Sequence, residues 1–221
     1  MAIFKVSLDD FYEIVEKMEA TTHFRFEYVR GEVFPVQGGA PLPKHYLESI
    51  LHKDFPHHLT EIETLMATKR HDKIIANLQI YLGWHSRAKD IIVYPQGTYV
   101  YIELKGTVRI PDLAAAKEST EKRNQKHQLL NPLTLFEIFS KSTQKIDETE
   151  KLEEYKSIAS VEEYVMIAQD TPHVSVHRRV NNTDWGQENL NNLSDTLYLQ
   201  SMETSISLSE IYKNIDWEEK E

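Results

Sequence analysis

Cysteine is absent from this 221-residue chain, which excludes disulfides and thiolate metal sites and fits a reducing, cytoplasmic setting. Also missing is any apolar stretch near the roughly 18 residues that a membrane helix needs, and the opening Met1–Ser7 segment has no apolar signal core. No membrane partner is therefore expected. Neither an internal repeat nor a low-complexity tract interrupts the chain. Positive charge is scarce: 35 acidic side chains against 25 basic ones give a net charge of −10. That balance argues against a large electrostatic footprint for nucleic acid and leaves only local basic surface, such as Lys117, Lys122, Arg123, Lys126, Lys141 and Lys145. With 40% hydrophobic and 27% charged residues, the composition is that of an ordinary globular protein, and the length suits one domain spanning 1–221.

Periodicity then divides the chain. Ser7 is placed to cap a helix carrying Leu8, Phe11, Val15 and Met18. Phe24–Arg30 and Glu32–Gln37 read as a hairpin turning at Gly31 and closed by Gly38-Gly39. The segment 41–66 is helical in pattern, broken at Pro56 and rich in histidine, and reads as an insertion. A longer helix from Lys69 to Trp84 puts His71, Ile74, Ile75, Leu78 and Leu82 on one face. Strands follow at Ile91–Tyr94, Thr98–Leu104 and Val108–Ala114, then the strand around Glu137. Ser142 or Thr143 is placed to cap a helix reaching about Ile158. The strands Tyr164–Gln169, Val174–Val180 and a stretch near Trp185 close the pattern, before a short helix at Leu208–Tyr212. The order predicts an α/β fold: a central mixed β-sheet flanked by helices, with a C-terminal antiparallel extension.

Two carboxylates interrupt apolar strands. Leu133, Leu135 and Phe139 share a strand face with Glu137, while Phe136 and Ile138 take the other, so the strand is apolar on both sides. An unpaired carboxylate there costs several kcal/mol, and a cation shared with Asp112 would remove that cost. Lys151 lies on the next helix, one stripe with Asp147 and Tyr155 at four-residue spacing. Two hard-oxygen acids and an amine suit phosphodiester hydrolysis with Mg²⁺ or Mn²⁺. Blander readings stand beside this one. Asp112 could be a turn aspartate, Lys151 a surface partner of Asp147, and His71 a hydrogen-bonded core histidine.

The sequence resembles the Uma-type family of restriction endonucleases within the PD-(D/E)xK nuclease superfamily. The resemblance runs through Phe26-Glu27-Tyr28-Val29-Arg30-Gly31-Glu32, His71-x-x-x-Ile75-x-Asn77-Leu78, Pro111-Asp112, Glu137-Ile138-Phe139-Ser140-x-Ser142-Thr143 and Asp147-x-x-x-Lys151-x-x-x-Tyr155. It implies a restriction-endonuclease-like fold and a metal-dependent endonuclease of DNA, with homodimerisation as a family-level expectation. Asp112 and Glu137 would hold Mg²⁺ or Mn²⁺, Lys151 would supply the amine, and Glu32, His71, Asp147 and Tyr155 would support them. The chain departs from the pattern at Phe139, where the superfamily places its lysine, at the 41–66 insertion, and at Lys141, where the family often has proline. Phe139 and the acidic balance leave two alternatives open: a non-catalytic nucleic-acid-binding or interaction module on a nuclease fold, and a metal-dependent hydrolase of small phosphoesters.

Overall fold

The computed structural model describes residues 5–19, 24–36, 40–52, 68–141 and 143–218. The chain divides into two compact units, Met1–Met66 with Lys105–Ile110, and Ala67–Leu104 with Pro111–Glu221.

In the first unit, α1 (Leu8–Glu19) begins with a reciprocal cap. Ser7 Oγ accepts from Asp10 N at 3.1 Å, and Asp10 Oδ2 accepts from Ser7 N at 2.9 Å, so two orphan donors of the first turn are satisfied. Phe11, Ile14 and Met18 form its buried stripe. The hairpin β1 (Phe26–Val29) and β2 (Glu32–Pro35) pairs Val29 with Glu32 across a two-residue turn. Both turn residues have positive φ, 52° at Arg30 and 94° at Gly31, the geometry whose twist matches that of paired strands. Of the 41–66 segment, residues 41–52 are described and form α2 (Lys44–Leu51); Pro56 and His57-His58 lie outside the described residues, as do Gly38-Gly39. The strand β5 (Thr107–Arg109) joins β1 antiparallel, Tyr28 opposite Val108. Here Glu27 is buried with Arg109: Glu27 Oε2 accepts from Arg109 Nη1 at 2.9 Å, and Glu27 Oε1 accepts from Ile110 N at 2.9 Å.

The second unit is built on a six-stranded sheet in the order β10-β9-β8-β7-β6-β3. The strands are β3 (Ile92–Tyr94), β6 (Leu113–Ala116), β7 (Thr134–Phe139), β8 (Glu163–Ala168), β9 (Val174–Arg179) and β10 (Trp185–Leu190). Only β7 and β8 run parallel; the other neighbours are antiparallel. A parallel pair needs a crossover, and the helical segment after β7 supplies it. On one face α3 (Lys69–His85) packs Ile74, Ile75, Leu78 and Leu82 against Phe136, Ile138, Val165 and Ile167. On the other, Leu135 and Phe139 meet Leu152, Tyr155, Ile158, Tyr164 and Met166.

Two strand expectations are corrected. The segment 108–114 is not one strand: β5 ends at Arg109 in the first unit's sheet, and β6 begins at Leu113 in the second's. Pro111 lies at the break, where it has no N–H to give a ladder. In 98–104 only Val100–Ile102, β4, is extended, and a tight helical turn takes Glu103–Lys105. The antiparallel hairpin β11 (Thr196–Leu199) and β12 (Thr204–Ser207), which leads into α6 (Leu208–Ile211), was not anticipated. Its Leu197, Leu199, Met202 and Ile206 complete the core on the α3 face.

Candidate active site

Glu137 stands in the middle of β7 with its side chain on the face that packs the crossover helix, as strand alternation requires. It is 4% exposed. The crossover begins with a turn in which Thr143 Oγ1 accepts from Ser140 N at 3.1 Å and Ser140 O accepts from Gln144 N at 2.9 Å. Thr143 thus spends its hydroxyl on the turn and makes no side-chain cap for the helix it precedes; Ser142 lies outside the described residues. The helix runs as α4 (Gln144–Ile146), a π-helical turn (Asp147–Lys151) and α5 (Leu152–Lys156).

That stripe faces Glu137. Lys151 Nζ is 2.9 Å from Glu137 Oε2 and 3.1 Å from Asp147 Oδ1, while the Tyr155 hydroxyl donates to Glu137 Oε1 at 2.8 Å. Asp147 and Lys151 are both buried. The contact of Lys151 with Asp147 and its contact with Glu137 exist together, so the ion pair that periodicity alone would leave on a surface is an interior one. The Tyr164 hydroxyl donates to the Asp147 carbonyl oxygen at 3.3 Å, and its ring lies edge-on to Tyr155 at 5.1 Å.

Asp112 lies one step beyond the Leu113–Phe136 pair that ends the β6–β7 ladder. Its own N–H donates to Phe136 O at 3.1 Å, and its Oδ2 accepts from Ile138 N at 2.7 Å. These two bonds straddle Glu137. The carboxylate takes over a backbone donor of β7 at the point where β6 has ended, which accounts for its burial at 6% exposure. Its other oxygen, Oδ1, is 3.2 Å from His71 Nε2 and accepts from Gln96 Nε2 at 3.2 Å.

His71 occupies the first turn of α3, where its N–H donates to the N-cap Thr68 Oγ1 at 3.2 Å. Burial by itself depresses its pKa. The charge and hydrogen bond of Asp112, with Asp72 behind them, outweigh burial and raise it above the ordinary imidazole value. His71 is therefore biased toward the imidazolium form beside Asp112.

The structure thus joins Glu137, Lys151, Asp147 and Tyr155 in one cluster and Asp112 with His71 in a second, and β7 links the two. Glu32 belongs to the first unit, in the hairpin opposite Val29. Phe139, where the resemblance leads one to expect a lysine, is buried in the core beside Leu152 and Tyr155. Gln96 was not anticipated; a glutamine in a Pro-Gln-Gly turn carries no sequence signal beyond the turn itself.

Asp112 and Glu137 offer hard oxygen donors without sulfur, a set that fits Mg²⁺ or Mn²⁺. Among the described residues no group of three or more His, Cys, Asp or Glu side chains is disposed to hold a metal ion. Two acids are enough for Mg²⁺, which commonly completes its shell with water and substrate phosphate. Among the described residues no helix is long and apolar enough to cross a membrane.

Comparison with curated proteins finds no match. Among solved structures, the chain is similar to "a putative nuclease belonging to DUF820" from Anabaena variabilis ATCC 29413, with a TM-score of 0.63 and 14% identity over 94% of this chain and 97% of that one. That likeness shows the fold, which is restriction-endonuclease-like. The family model described as "Uma2: Putative restriction endonuclease" matches residues 60–209. With well over half of its length matched by that model, the chain belongs to the Uma2 family.

Proposed function

We propose that the protein is a metal-dependent endonuclease that hydrolyses phosphodiester bonds of DNA, with Asp112 and Glu137 as metal ligands and Lys151 as the catalytic amine. The observation that carries this reading is the pair of hydrogen bonds by which Asp112 straddles Glu137 on β7. Two buried acids held on neighbouring strands, with a lysine on one of them, are costly to keep for stability alone.

When bound, Mg²⁺ or Mn²⁺ supplies Lewis-acid polarisation of the phosphate and a counter-charge for the transition state. The protein's own groups do the rest. The Lys151 ammonium, poised on Glu137, orients the attacking water and offsets the charge that develops on the phosphate. Asp147 holds that ammonium from behind, and the Tyr155 hydroxyl fixes Glu137 Oε1 so that the carboxylate does not rotate. His71 fixes Oδ1 of Asp112 in the same way. Glu32 takes no step in this mechanism. The same reading places the protein in the cytoplasm, as the lack of cysteine suggests, and pairs it with a second copy, as its family resemblance implies; sedimentation velocity tests the pairing.

The experiment is cleavage of duplex DNA, single-stranded DNA and a small phosphodiester in Mg²⁺ or Mn²⁺ by wild type, Asp112→Asn, Glu137→Gln and Lys151→Ala, with thermal unfolding as the folding control. Loss of most cleavage in the two amide variants, at unchanged folding, supports the mechanism. Activity surviving in both would overturn it. Preference for the small phosphodiester over DNA would replace the substrate, and an inactive but DNA-binding wild type would replace catalysis with binding.

A further inference from the structure

Asp112 Oδ1 is approached by two donors from separate elements. One is His71 on α3, whose Nε2 lies 3.2 Å away; the other is Gln96, in the turn that follows β3, whose Nε2 donates at 3.2 Å. The turn is a local construction: the Thr98 hydroxyl donates to Pro95 O at 3.2 Å, and Gly97 has a φ of +103° that side-chain-bearing residues rarely adopt. It projects an uncharged amide onto the carboxylate.

We infer that Gln96 is a positioning residue for Asp112, acting with Ile138 N to fix the plane of that carboxylate for a divalent cation. The inference rests on the metal-dependent reading above. The chemistry favours an amide in this role. With Oδ2 held by Ile138 N, donors on Oδ1 restrain twist about the Cβ–Cγ bond, and Gln96 supplies one of them alongside His71. A neutral N–H leaves the negative charge undiminished. Outer donors of this kind set metal affinity through the orientation of the ligand they hold.

Mn²⁺ binding is measured by electron paramagnetic resonance and calorimetry on wild type, Gln96→Leu and Thr98→Val, alongside thermal unfolding and the Mg²⁺ dependence of cleavage. Gln96→Leu keeps the bulk of the side chain and removes the donor. It is expected to weaken Mn²⁺ binding by about 10-fold or more and to raise the Mg²⁺ concentration for half-maximal cleavage, with kcat at saturating Mg²⁺ and the melting temperature little changed. Thr98→Val removes the hydroxyl that braces the turn presenting Gln96 and is expected to weaken Mn²⁺ binding in the same direction by a smaller factor. Unaltered Mn²⁺ affinity in Gln96→Leu would overturn the role of Gln96 alone. Absence of Mn²⁺ binding by the wild type would overturn the metal-dependent reading, and this inference with it.

Discussion

The Lys151 ammonium lies 2.9 Å from Glu137 Oε2, across from the strand to the helix that follows it, and both side chains are almost wholly removed from solvent. A buried ion pair of this kind contributes little net stability while intact, because desolvation offsets attraction, but removal of one partner strands a charge.

Lys151→Met should therefore destabilise the protein by about 3 kcal/mol, since both Glu137 and Asp147 lose their cation. In the Lys151→Met background, Glu137→Gln should cost less than it does alone, or even stabilise. A double-mutant cycle from urea unfolding measures this coupling. Additive effects would show that the two groups do not share an interaction.

Tyr155→Phe removes the hydroxyl that donates to Glu137 Oε1. Loss of a buried hydrogen bond to a charged acceptor should cost about 2 kcal/mol. The same variant should lower kcat more than it alters substrate KM, because Glu137 and not the substrate is the group it loosens.

Gly31 has a φ of 94°, and a Cβ placed there would come within 2.9 Å of Lys5 Cβ. Gly31→Ala should destabilise the first unit by about 1 kcal/mol or more, from backbone strain with the clash added. Its neighbour Arg30, with φ 52°, occupies a position that asparagine tolerates better, so Arg30→Asn should raise stability slightly. Denaturant midpoints test both, and a neutral Gly31→Ala would contradict the turn geometry.

His177 on β9 stacks on Tyr164. Burial, followed by the charge of Lys156, lowers its pKa below the ordinary imidazole value, against a smaller opposing effect of Glu148. The unfolded chain then takes up this proton more readily than the folded one. The linked stability is full above the unfolded pKa, about 6.5, and falls as pH drops through that value toward the folded pKa. Between pH 7 and pH 5 the wild type should lose more stability than His177→Phe, which keeps the ring. Parallel losses would remove His177 from the acid response.

Much of the scaffold was legible because its signals are local. The α3 stripe from Ile74 to Leu82 has helical spacing, and the apolar run of β7 interrupted by Glu137 requires a buried carboxylate with a partner. The partner could be named because Lys151 and Tyr155 fall on one helix stripe. Other features depend on relations that periodicity does not carry. The break at Pro111 divides two sheets, yet a proline at a strand end looks the same within one sheet. The β11–β12 hairpin alternates exposed Thr196 and Tyr198 with buried Leu197 and Leu199, but each strand is four residues long, too short for alternation to set it apart from a loop. Gln96 owes its place to a turn geometry, and the contact it makes joins residues 16 positions apart.

The π-helical turn at Asp147–Lys151 fixes the helix's rotational phase. Each residue of a helix advances it by about 100°, and a π turn holds one residue more than the ordinary register would place there. Deleting a residue from this turn, Glu148 for instance, would let the segment relax to a regular helix while rotating Asp147 relative to Lys151 and Tyr155. The shorter helix would still be a good helix, but Asp147 and Lys151 would stand three residues apart instead of four, and the present geometry of the lysine against both acids would change. In evolutionary terms, a single codon lost or gained here separates a chain that keeps its fold from one that also keeps the contacts of Lys151 with Glu137 and Asp147.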